Sequence, residues 1–172
     1  YIAEEVTYKG NKTKRPDIVL YINGIAIAVL ELKRGIVDIG EGIRQNITNM
    51  QDRFIQPFFA TNQILFSGND SEGLRYGTIS SPEKFYLSWK EDVEDNSRLL
   101  LDKYLIKMCS KERIIELLYD FIVFDAGIKK LPRVHQYFGV KESQKYVNRY
   151  EGGIIWHTQE VVKVSQWCIW QN

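Results

Sequence analysis

Two acids and a lysine near the start of the chain have the types and spacing of a metal-dependent hydrolytic site. Asp17 precedes one apolar run, and Glu31 and Lys33 stand one residue apart at the end of the next run. Because side chains alternate faces along a strand, we expect Glu31 and Lys33 on one face and Leu30 and Leu32 in the core. Carboxylate oxygens suit Mg²⁺, and a neighbouring lysine can orient or deprotonate a water that attacks a phosphodiester. The pattern predicts a metal-dependent nuclease site.

This interpretation requires one extra residue between the two runs. Asn23-Gly24 is a strong signal for a two-residue hairpin turn. A strict two-residue turn would pair Asp17 with Leu30, and it would place Asp17 and Glu31 on opposite faces of the hairpin. We therefore predict a three-residue loop or a bulge that brings Asp17 directly opposite Glu31.

The same residues also have an ordinary structural interpretation. Pro-Asp is common in turns, and an acid and a lysine two apart on a strand often lie on its solvated face. However, the run from Ile18 to Leu32 is almost wholly apolar. The acids therefore flank a buried hairpin, which favours the nuclease interpretation.

The composition is typical of a globular chain with one sizeable core. Of 172 residues, 44% are hydrophobic and 26% are charged, and the net charge of +1 means that any nucleic-acid surface must be local. Only Cys109 and Cys168 carry thiols, which favours a reducing cytoplasm over a disulfide scaffold. No apolar run has the length of a membrane span, and no secretory signal is present. Since the chain opens at Tyr1, as if within a strand, we expect a fragment.

Apolar spacing and turn residues predict the elements that position the site. We expect a strand over 2–8 and a basic turn over 10–15, whose Lys12, Lys14 and Arg15 either touch phosphates or are simply solvated. A helix predicted over 41–54 carries Gln45 and Asn49 one turn apart, which also fits a polar helix flank.

Further strands and helices are predicted along the rest of the chain. The ranges are strands over 63–66, 74–79, 84–89 and 153–159, a loop over 67–73, and helices over 99–108, 111–122 and 135–150. Together these elements predict an α/β fold with a mixed central sheet. Neither His135 nor His157 has neighbours of metal-ligand type, so packing roles are expected for both.

Several longer runs, in order, match one protein family. The runs are Arg15-Pro16-Asp17 with Glu31-Leu32-Lys33, Arg44-Gln45-Asn46-Ile47, Gly68-Asn69-Asp70, Leu74-Arg75-Tyr76-Gly77, Asp120-Phe121-Ile122-Val123-Phe124, Lys130-Leu131-Pro132-Arg133-Val134-His135-Gln136-Tyr137 and Gly152-Gly153-Ile154-Ile155-Trp156-His157-Thr158-Gln159. Up to Gln159, the chain closely resembles the R (restriction and motor) subunit of type I restriction–modification enzymes. Runs of this length are far more specific than any one motif.

The resemblance implies a PD-(D/E)xK nuclease domain with a restriction-endonuclease-like mixed sheet and flanking helices. It implies that Asp17 and Glu31 bind Mg²⁺, that Lys33 serves the attacking water and that Gln45 belongs to a glutamine-centred helix motif. The tyrosine usual four residues later is replaced by Asn49, which leaves the role of Gln45 open. The helices that precede this strand in the family are expected to be missing.

The resemblance also implies an order of domains. Residues 1–128 are expected to form the nuclease domain, and residues 129–159 the linker and the start of the first motor domain, where Gln136 resembles an adenine-reading residue. The family's phosphate-cradling loop should follow, but residues 160–172 do not match it. If the codons of this tail are read one base earlier, a compatible choice of codons encodes Gly-Ser-Gly-Lys-Ser. We therefore predict a frameshifted tail, with an unusual natural C-terminus as the alternative.

These expectations define the predicted function and its alternatives. The chain itself should not hold ATP, which only the full-length parent would use, so Gln136 is expected to be non-functional here. We expect Mg²⁺-dependent cleavage of double-stranded DNA; the resemblance implies that it follows ATP-driven translocation and that methylation and specificity subunits choose the site. A second hypothesis is a catalytically silent module that docks to partner subunits. A third hypothesis is a free-standing repair-type nuclease, but the run over 152–159 argues against it.

Overall fold

The computed structural model describes residues 1–91 and 97–154. The chain divides after Ser110 into two units, which are described separately below. The sequence-predicted domain boundaries at 128/129 and 159/160 remain predictions. Within the described part of the chain, no helix combines the length and the apolar character that crossing a membrane requires.

The first unit contains a six-stranded mixed sheet and a two-stranded ribbon. Its strands are β1 (Ile2–Glu4), β2 (Tyr8–Lys9), β3 (Thr13–Lys14), β4 (Ile18–Ile22), β5 (Ile25–Leu32), β6 (Ile64–Asn69), β7 (Gly73–Gly77) and β8 (Leu87–Ser88). The sheet order is β1-β4-β5-β6-β7-β8, and β2 and β3 form the ribbon. Strands β5 and β6 run parallel, while the other neighbouring strands run antiparallel.

Two helices pack on opposite faces of this sheet. Helix α1 (Gly40–Asn49) belongs to the crossover that the parallel β5–β6 pair requires, and α2 (Leu100–Met108) packs on β6 and β7. A Cβ built at Gly42 of α1 would meet Ser67, whereas a Cβ built at Gly68 would meet Leu101 of α2. Since consecutive strand residues face opposite ways, the two helices cover the two faces. The predicted α/β class, a restriction-endonuclease-like mixed sheet with flanking helices, is confirmed.

The core of the first unit lies between the sheet and α1. Its buried members are Val19, Ala26, Val29, Ile43, Ile55, Phe58, Phe59, Leu65 and Tyr86. Val29 of β5 and Leu65 of β6 are register partners in this core. Glu31 lies two residues after Val29 and therefore projects from the same face of β5, towards α1.

Three sequence expectations in this unit are wrong. The helix predicted to reach residue 54 ends at Asn49, because the carbonyls of Asp52 and Phe54 instead accept hydrogen bonds from the Asn11 side chain and backbone. Leu32 is not in the core but 36% exposed, since it is the last residue of β5.

The third wrong expectation is the loop over 67–73. Residues 67–69 complete β6, Gly73 opens β7, and only residues 70–72 form the turn. Polar residues are tolerated in this buried strand because they are hydrogen-bonded. Ser67 donates to the carbonyl of Ile39, and Asn69 donates to that of Val37.

Other elements are displaced by a few residues. The strand predicted over 2–8 is limited to β1, and the one over 84–89 is a 3₁₀ turn (Glu83–Phe85) followed by β8. A second 3₁₀ turn (Gln56–Thr61) precedes β6. These shifts leave the order of elements as predicted.

In its described part, residues 111–154, the second unit contains two helices and a hairpin. Its elements are α3 (Lys111–Asp120), β9 (Val123–Asp125), β10 (Ile128–Lys130) and α4 (Val134–Asn148). Phe121 and Tyr137 are buried and pack at a centroid distance of 4.8 Å. The helices predicted over 111–122 and 135–150 are confirmed with slightly earlier ends. Residues 151–154 are irregular, and the remainder of the strand predicted over 153–159, like the tail 160–172, lies outside the described residues.

Candidate active site

The hairpin that carries the two acids combines a tight turn with a bulge. Asn23 and Gly24 both have positive φ, 50° and 82°, as a type I′ two-residue turn requires. The register pairs are Ile22–Ile25, Tyr21–Ala26, Leu20–Ala28, Val19–Val29 and Ile18–Leu30. Ile27 has no partner in this series and is therefore the extra residue. The predicted insertion is confirmed as a bulge on β5.

The bulge brings the two acids together. Continuing the register past Ile18–Leu30 places Asp17 directly opposite Glu31, and residues directly opposite in an antiparallel pair share a face. Asp17 is half-buried, and its Oδ2 accepts the Leu32 N–H at 2.7 Å. This hydrogen bond ties Asp17 to the backbone just beyond Glu31, so the carboxyl is held at the end of β5.

Glu31 is a fully buried acid. Burial and, after it, the neighbouring Asp17 carboxylate raise the pKa of Glu31 to about 8, while Lys33 and Lys14 lower it in part. Its Oε2 accepts a hydrogen bond of 2.6 Å from the Gln45 amide. Its Oε1 has no donor among the described residues. A hydrogen bond between the Glu31 and Asp17 carboxyls requires that one of the two be protonated.

Gln45 joins Glu31 to Lys33. The Gln45 Nε2 donates to Glu31, and its Oε1 accepts from the Lys33 Nζ at 2.7 Å. The Lys33 Nζ also donates to the Leu32 carbonyl at 3.2 Å, and the Lys33 backbone N–H donates to Gly68 at 2.9 Å. Lys33 is therefore held at the end of β5, on the side of Glu31 and α1.

Helix α1 is fixed against β6 at a short distance, which places Gln45. The Asn46 side chain donates to the Phe66 carbonyl at 2.9 Å, and the Ser67 hydroxyl donates to the Ile39 carbonyl at 2.9 Å. A Cβ built on Gly42 would lie 2.2 Å from the Ser67 Oγ. Only a glycine lets the helix come this close to the strand.

The donor set fits a hard divalent cation. Two facing carboxylates, one with an oxygen that lacks a donor, are typical ligands of Mg²⁺. Among the described residues, no group of three or more His, Cys, Asp and Glu side chains is placed to share an ion. A cation between Asp17 and Glu31 would therefore need main-chain or solvent oxygens to complete its coordination.

The remaining sequence candidates lie apart from this cluster. Asn49 is 2% exposed, and no hydrogen bond in the described part of the chain links its side chain to Glu31 or Lys33. Gln136 lies in the second unit, where its Oε1 accepts the Arg133 N–H at the start of α4. This capping bond occupies the oxygen of Gln136, and its suggested adenine contact remains a prediction.

The cations of the basic turn over 10–15 differ in their interactions. Arg15 forms an ion pair with Glu5 at 3.3 Å. Lys14 instead acts on the site, because its charge lowers the pKa of Glu31. Sequence reasoning missed Arg53 and Phe54, which lie beside Lys14; no local pattern joins positions so far apart in the chain.

Comparisons with known proteins show what this chain is similar to. The family described as "Type I restriction enzyme R protein N terminus" matches residues 1–84. The HindI type I restriction enzyme endonuclease subunit of Haemophilus influenzae is 30% identical, over 88% of this chain and 16% of its own length. The putative MjaIXP endonuclease subunit of Methanocaldococcus jannaschii is 29% identical, over 90% and 18%. The SauCOLORF180P endonuclease subunit of Staphylococcus aureus is 29% identical, over 91% and 17%.

The likeness thus covers most of this chain but only a small part of each relative. The chain spans between 16% and 18% of the length of these relatives. The family match contains Asp17, Glu31, Lys33 and Gln45, and hence the whole candidate site. The chain belongs, through residues 1–84, to the family of type I restriction enzyme R proteins and corresponds to their N-terminal region.

Proposed function

We propose that this chain carries the nuclease site of a type I restriction endonuclease and hydrolyses phosphodiesters of double-stranded DNA with Mg²⁺. The observation that supports this function is the position of Asp17 directly opposite Glu31, on the face where Lys33 is joined to Glu31 through Gln45. An exposed structural hairpin would not require a buried acid at this position.

The residues of the site divide the work between them. Asp17 and Glu31 would hold the cation at the end of β5, where the Leu32 N–H already donates to Asp17. When bound, Mg²⁺ supplies Lewis-acid stabilisation of the charge that develops on the phosphoryl oxygens. Lys33 orients the attacking water and adds positive charge next to the reacting phosphate. Gln45 is a positioning residue that holds Lys33 and Glu31 in a fixed relation.

In the parent enzyme, we propose, this cleavage follows ATP-driven translocation along DNA. The relatives are named endonuclease subunits of type I restriction enzymes, and they are several times longer than this chain. Methylation and specificity subunits would choose the DNA site, so the present domain needs no sequence-reading surface. We place this activity in the reducing cytoplasm that the two widely separated cysteines favour.

The first test is a calorimetric titration of Mg²⁺ or Mn²⁺ into the purified chain. The intact chain and Glu112→Ala, a control at an exposed acid of α3, should bind the cation. Asp17→Ala and Glu31→Ala should not bind it, because each removes one of only two facing carboxylates. Absence of binding in the intact chain would contradict the proposal.

A cleavage assay separates the nuclease from a silent docking module. Glu31→Ala should abolish Mg²⁺-dependent nicking of duplex DNA while the circular-dichroism spectrum stays that of the intact chain. If the intact chain binds the cation but shows no more cleavage than Glu31→Ala, the silent module of the parent subunit becomes the better interpretation.

A further inference from the structure

Three cations surround one aromatic ring beside the candidate site. The Nζ atoms of Lys12 and Lys14 lie 5.2 and 4.6 Å from the centroid of Phe54, and the Cζ of Arg53 lies 5.2 Å from it. We call these four residues the basic patch. They come from two segments, the β2–β3 ribbon and the turn after α1, which are about forty residues apart in the chain.

The two segments are bound tightly to each other. The Asn11 backbone N–H donates to the Phe54 carbonyl at 3.0 Å, and the Asn11 side chain donates to the Asp52 carbonyl at 2.6 Å. A Cβ built on Gly10 would lie 2.6 Å from the Phe54 oxygen, so the backbones are in close contact. Ile55, next to the ring, is completely buried. The basic patch is thus a structured surface and not a chance meeting of mobile side chains.

The charges of the basic patch are not balanced locally. Among the described residues, neither Lys12 nor Lys14 forms an ion pair with a carboxylate, and the Arg53 Nε donates to the neutral Gln51. The nearest acid in sequence, Asp52, uses its Oδ1 to accept the Arg53 backbone N–H at 2.7 Å. Three like charges around one ring repel each other. An anion with several charges would relieve this repulsion.

The basic patch lies within reach of the candidate site. Lys14 precedes Asp17 by three residues, and its charge acts on Glu31. An extended chain of this length covers about 10 Å, or roughly three nucleotide steps of a duplex at about 3.4 Å each. Phosphates neighbouring a scissile phosphodiester at Asp17 and Glu31 would therefore come near Lys14.

We propose that Lys12, Lys14 and Arg53 bind the sugar–phosphate backbone of duplex DNA that is cut at the Asp17–Glu31 site. This proposal rests on the proposed function and deepens it. Three cations already lie over the ring of Phe54, so the ring orients the cations and is not offered to a base for stacking. Contacts of this kind position DNA and carry no sequence information.

The test is duplex binding in a chelator, where cleavage cannot occur. Fluorescence anisotropy would measure the Kd of a short duplex for the intact chain and for the triple variant Lys12→Gln/Lys14→Gln/Arg53→Gln over a range of salt concentrations. Loss of three phosphate contacts should weaken binding at low salt at least tenfold. It should also reduce the slope of log K against log salt by about 2.7, from about 0.9 for each contact.

A matched control removes the same total charge elsewhere. Lys84, Lys129 and Arg149 each lie over an aromatic ring, at 5.0, 5.8 and 4.8 Å, and their change to Gln should alter the Kd less than about twofold and leave the salt slope unchanged. The double variant Lys12→Arg/Lys14→Arg should bind as the intact chain does. Equal weakening in the patch variant and the control, or no duplex binding by the intact chain, would overturn the proposal.

Failure of this proposal is distinguishable from failure of the proposed function. Calorimetric Mn²⁺ binding depends on Asp17 and Glu31, so the double variant Lys12→Gln/Arg53→Gln, which leaves the Lys14 charge near Glu31 in place, should keep the cation affinity of the intact chain. Conversely, Asp17→Ala should keep the salt slope of duplex binding. Loss of cation binding in Lys12→Gln/Arg53→Gln would show that the basic patch acts through the fold, which contradicts a role in DNA contact. A melting temperature of the triple variant that differs by more than a few degrees from that of the intact chain would show the same.

Discussion

At the scale of single residues, Glu31 carries a conflict between stability and function. It is completely buried and faces a second carboxylate, while its neutral form is favoured by burial. A cation would relieve this conflict, and so would a proton. The chain keeps the acid at a position where an apolar or amide side chain would be more stable, which is typical of a functional position.

The pH dependence of stability should report on Glu31. Its pKa rises from 4.5 in the unfolded chain to about 8 in the folded one, so the folded state binds an extra proton between these values. In a chelator, the contribution of Glu31 to stability is therefore present at low pH and is lost as pH rises towards 8.

Comparison with Glu31→Gln isolates this effect. At pH 5, the free energy of unfolding of the variant should equal that of the intact chain or be slightly lower. At pH 9, it should be higher than that of the intact chain by on the order of 3 kcal/mol. Urea unfolding of both chains with EDTA measures the difference. A difference that does not grow with pH would show that Glu31 ionises freely in the fold.

Gln45 offers a second test at this scale. Gln45→Ala should remove one of the two acceptors of the Lys33 Nζ and a donor from Glu31. This loss should lower the cation affinity or the cleavage rate by about tenfold to a hundredfold. Gln144→Ala, at an exposed position of α4, is the control. Calorimetry and the nicking rate measure the effect, and unchanged values for both in Gln45→Ala would remove Gln45 from the site.

At the scale of elements, the site depends on how two elements meet. The bulge at Ile27 brings Asp17, the residue just before β4, opposite Glu31, and the contact of α1 with β6 sets where Gln45 lies. Gly42 lies at this contact, because a Cβ built on it would be 2.2 Å from the Ser67 Oγ. The Ser67 hydroxyl is buried and bonded to Ile39, so it cannot turn away without losing that bond.

Gly42→Ala should therefore be destabilising, by about 1–3 kcal/mol. The sign is informative, because glycine to alanine within an unobstructed helix stabilises by up to about 1 kcal/mol. The displaced helix should also weaken cation binding through Gln45. Gly152→Ala, where a Cβ meets nothing within 4 Å, is the control. Thermal unfolding and calorimetry measure both effects; a stabilised Gly42→Ala would contradict the close contact.

At the scale of the whole molecule, all components of the site lie in one unit. Asp17, Glu31, Lys33 and Gln45, the six-stranded sheet and the core beneath it belong to Tyr1–Ser110. The family match ends within this unit. The second unit has its own buried residues around Phe121.

A shorter chain that ends at Ser110 should consequently keep cation binding. Its affinity for Mn²⁺ should lie within about threefold of that of the full chain, because every residue of the candidate site lies in Tyr1–Ser110. A threefold change is about half of the 1.4 kcal/mol that a tenfold change represents. Calorimetry on this shorter chain and on its Glu31→Ala variant makes the comparison. Loss of binding in a shorter chain that still unfolds cooperatively would place part of the site in the second unit.

The amino-acid sequence by itself determined which residues are candidates for the chemistry and the kind of element that carries each. Alternation of apolar residues, the Asn23-Gly24 turn and the helical spacing around Gln45 are local signals, and they sufficed for the hairpin, for α1 and for the need of an extra residue. The mixed sheet followed from the order of these elements.

Only the tertiary structure decided where those residues meet. It placed the extra residue at Ile27, joined Gln45 to both Glu31 and Lys33, and set Lys14 beside Phe54. It also kept polar residues 67–69 within a buried strand. Local patterns record the preference of a segment for a face or a turn, whereas contacts between residues 12 to 40 positions apart depend on how closely the elements pack.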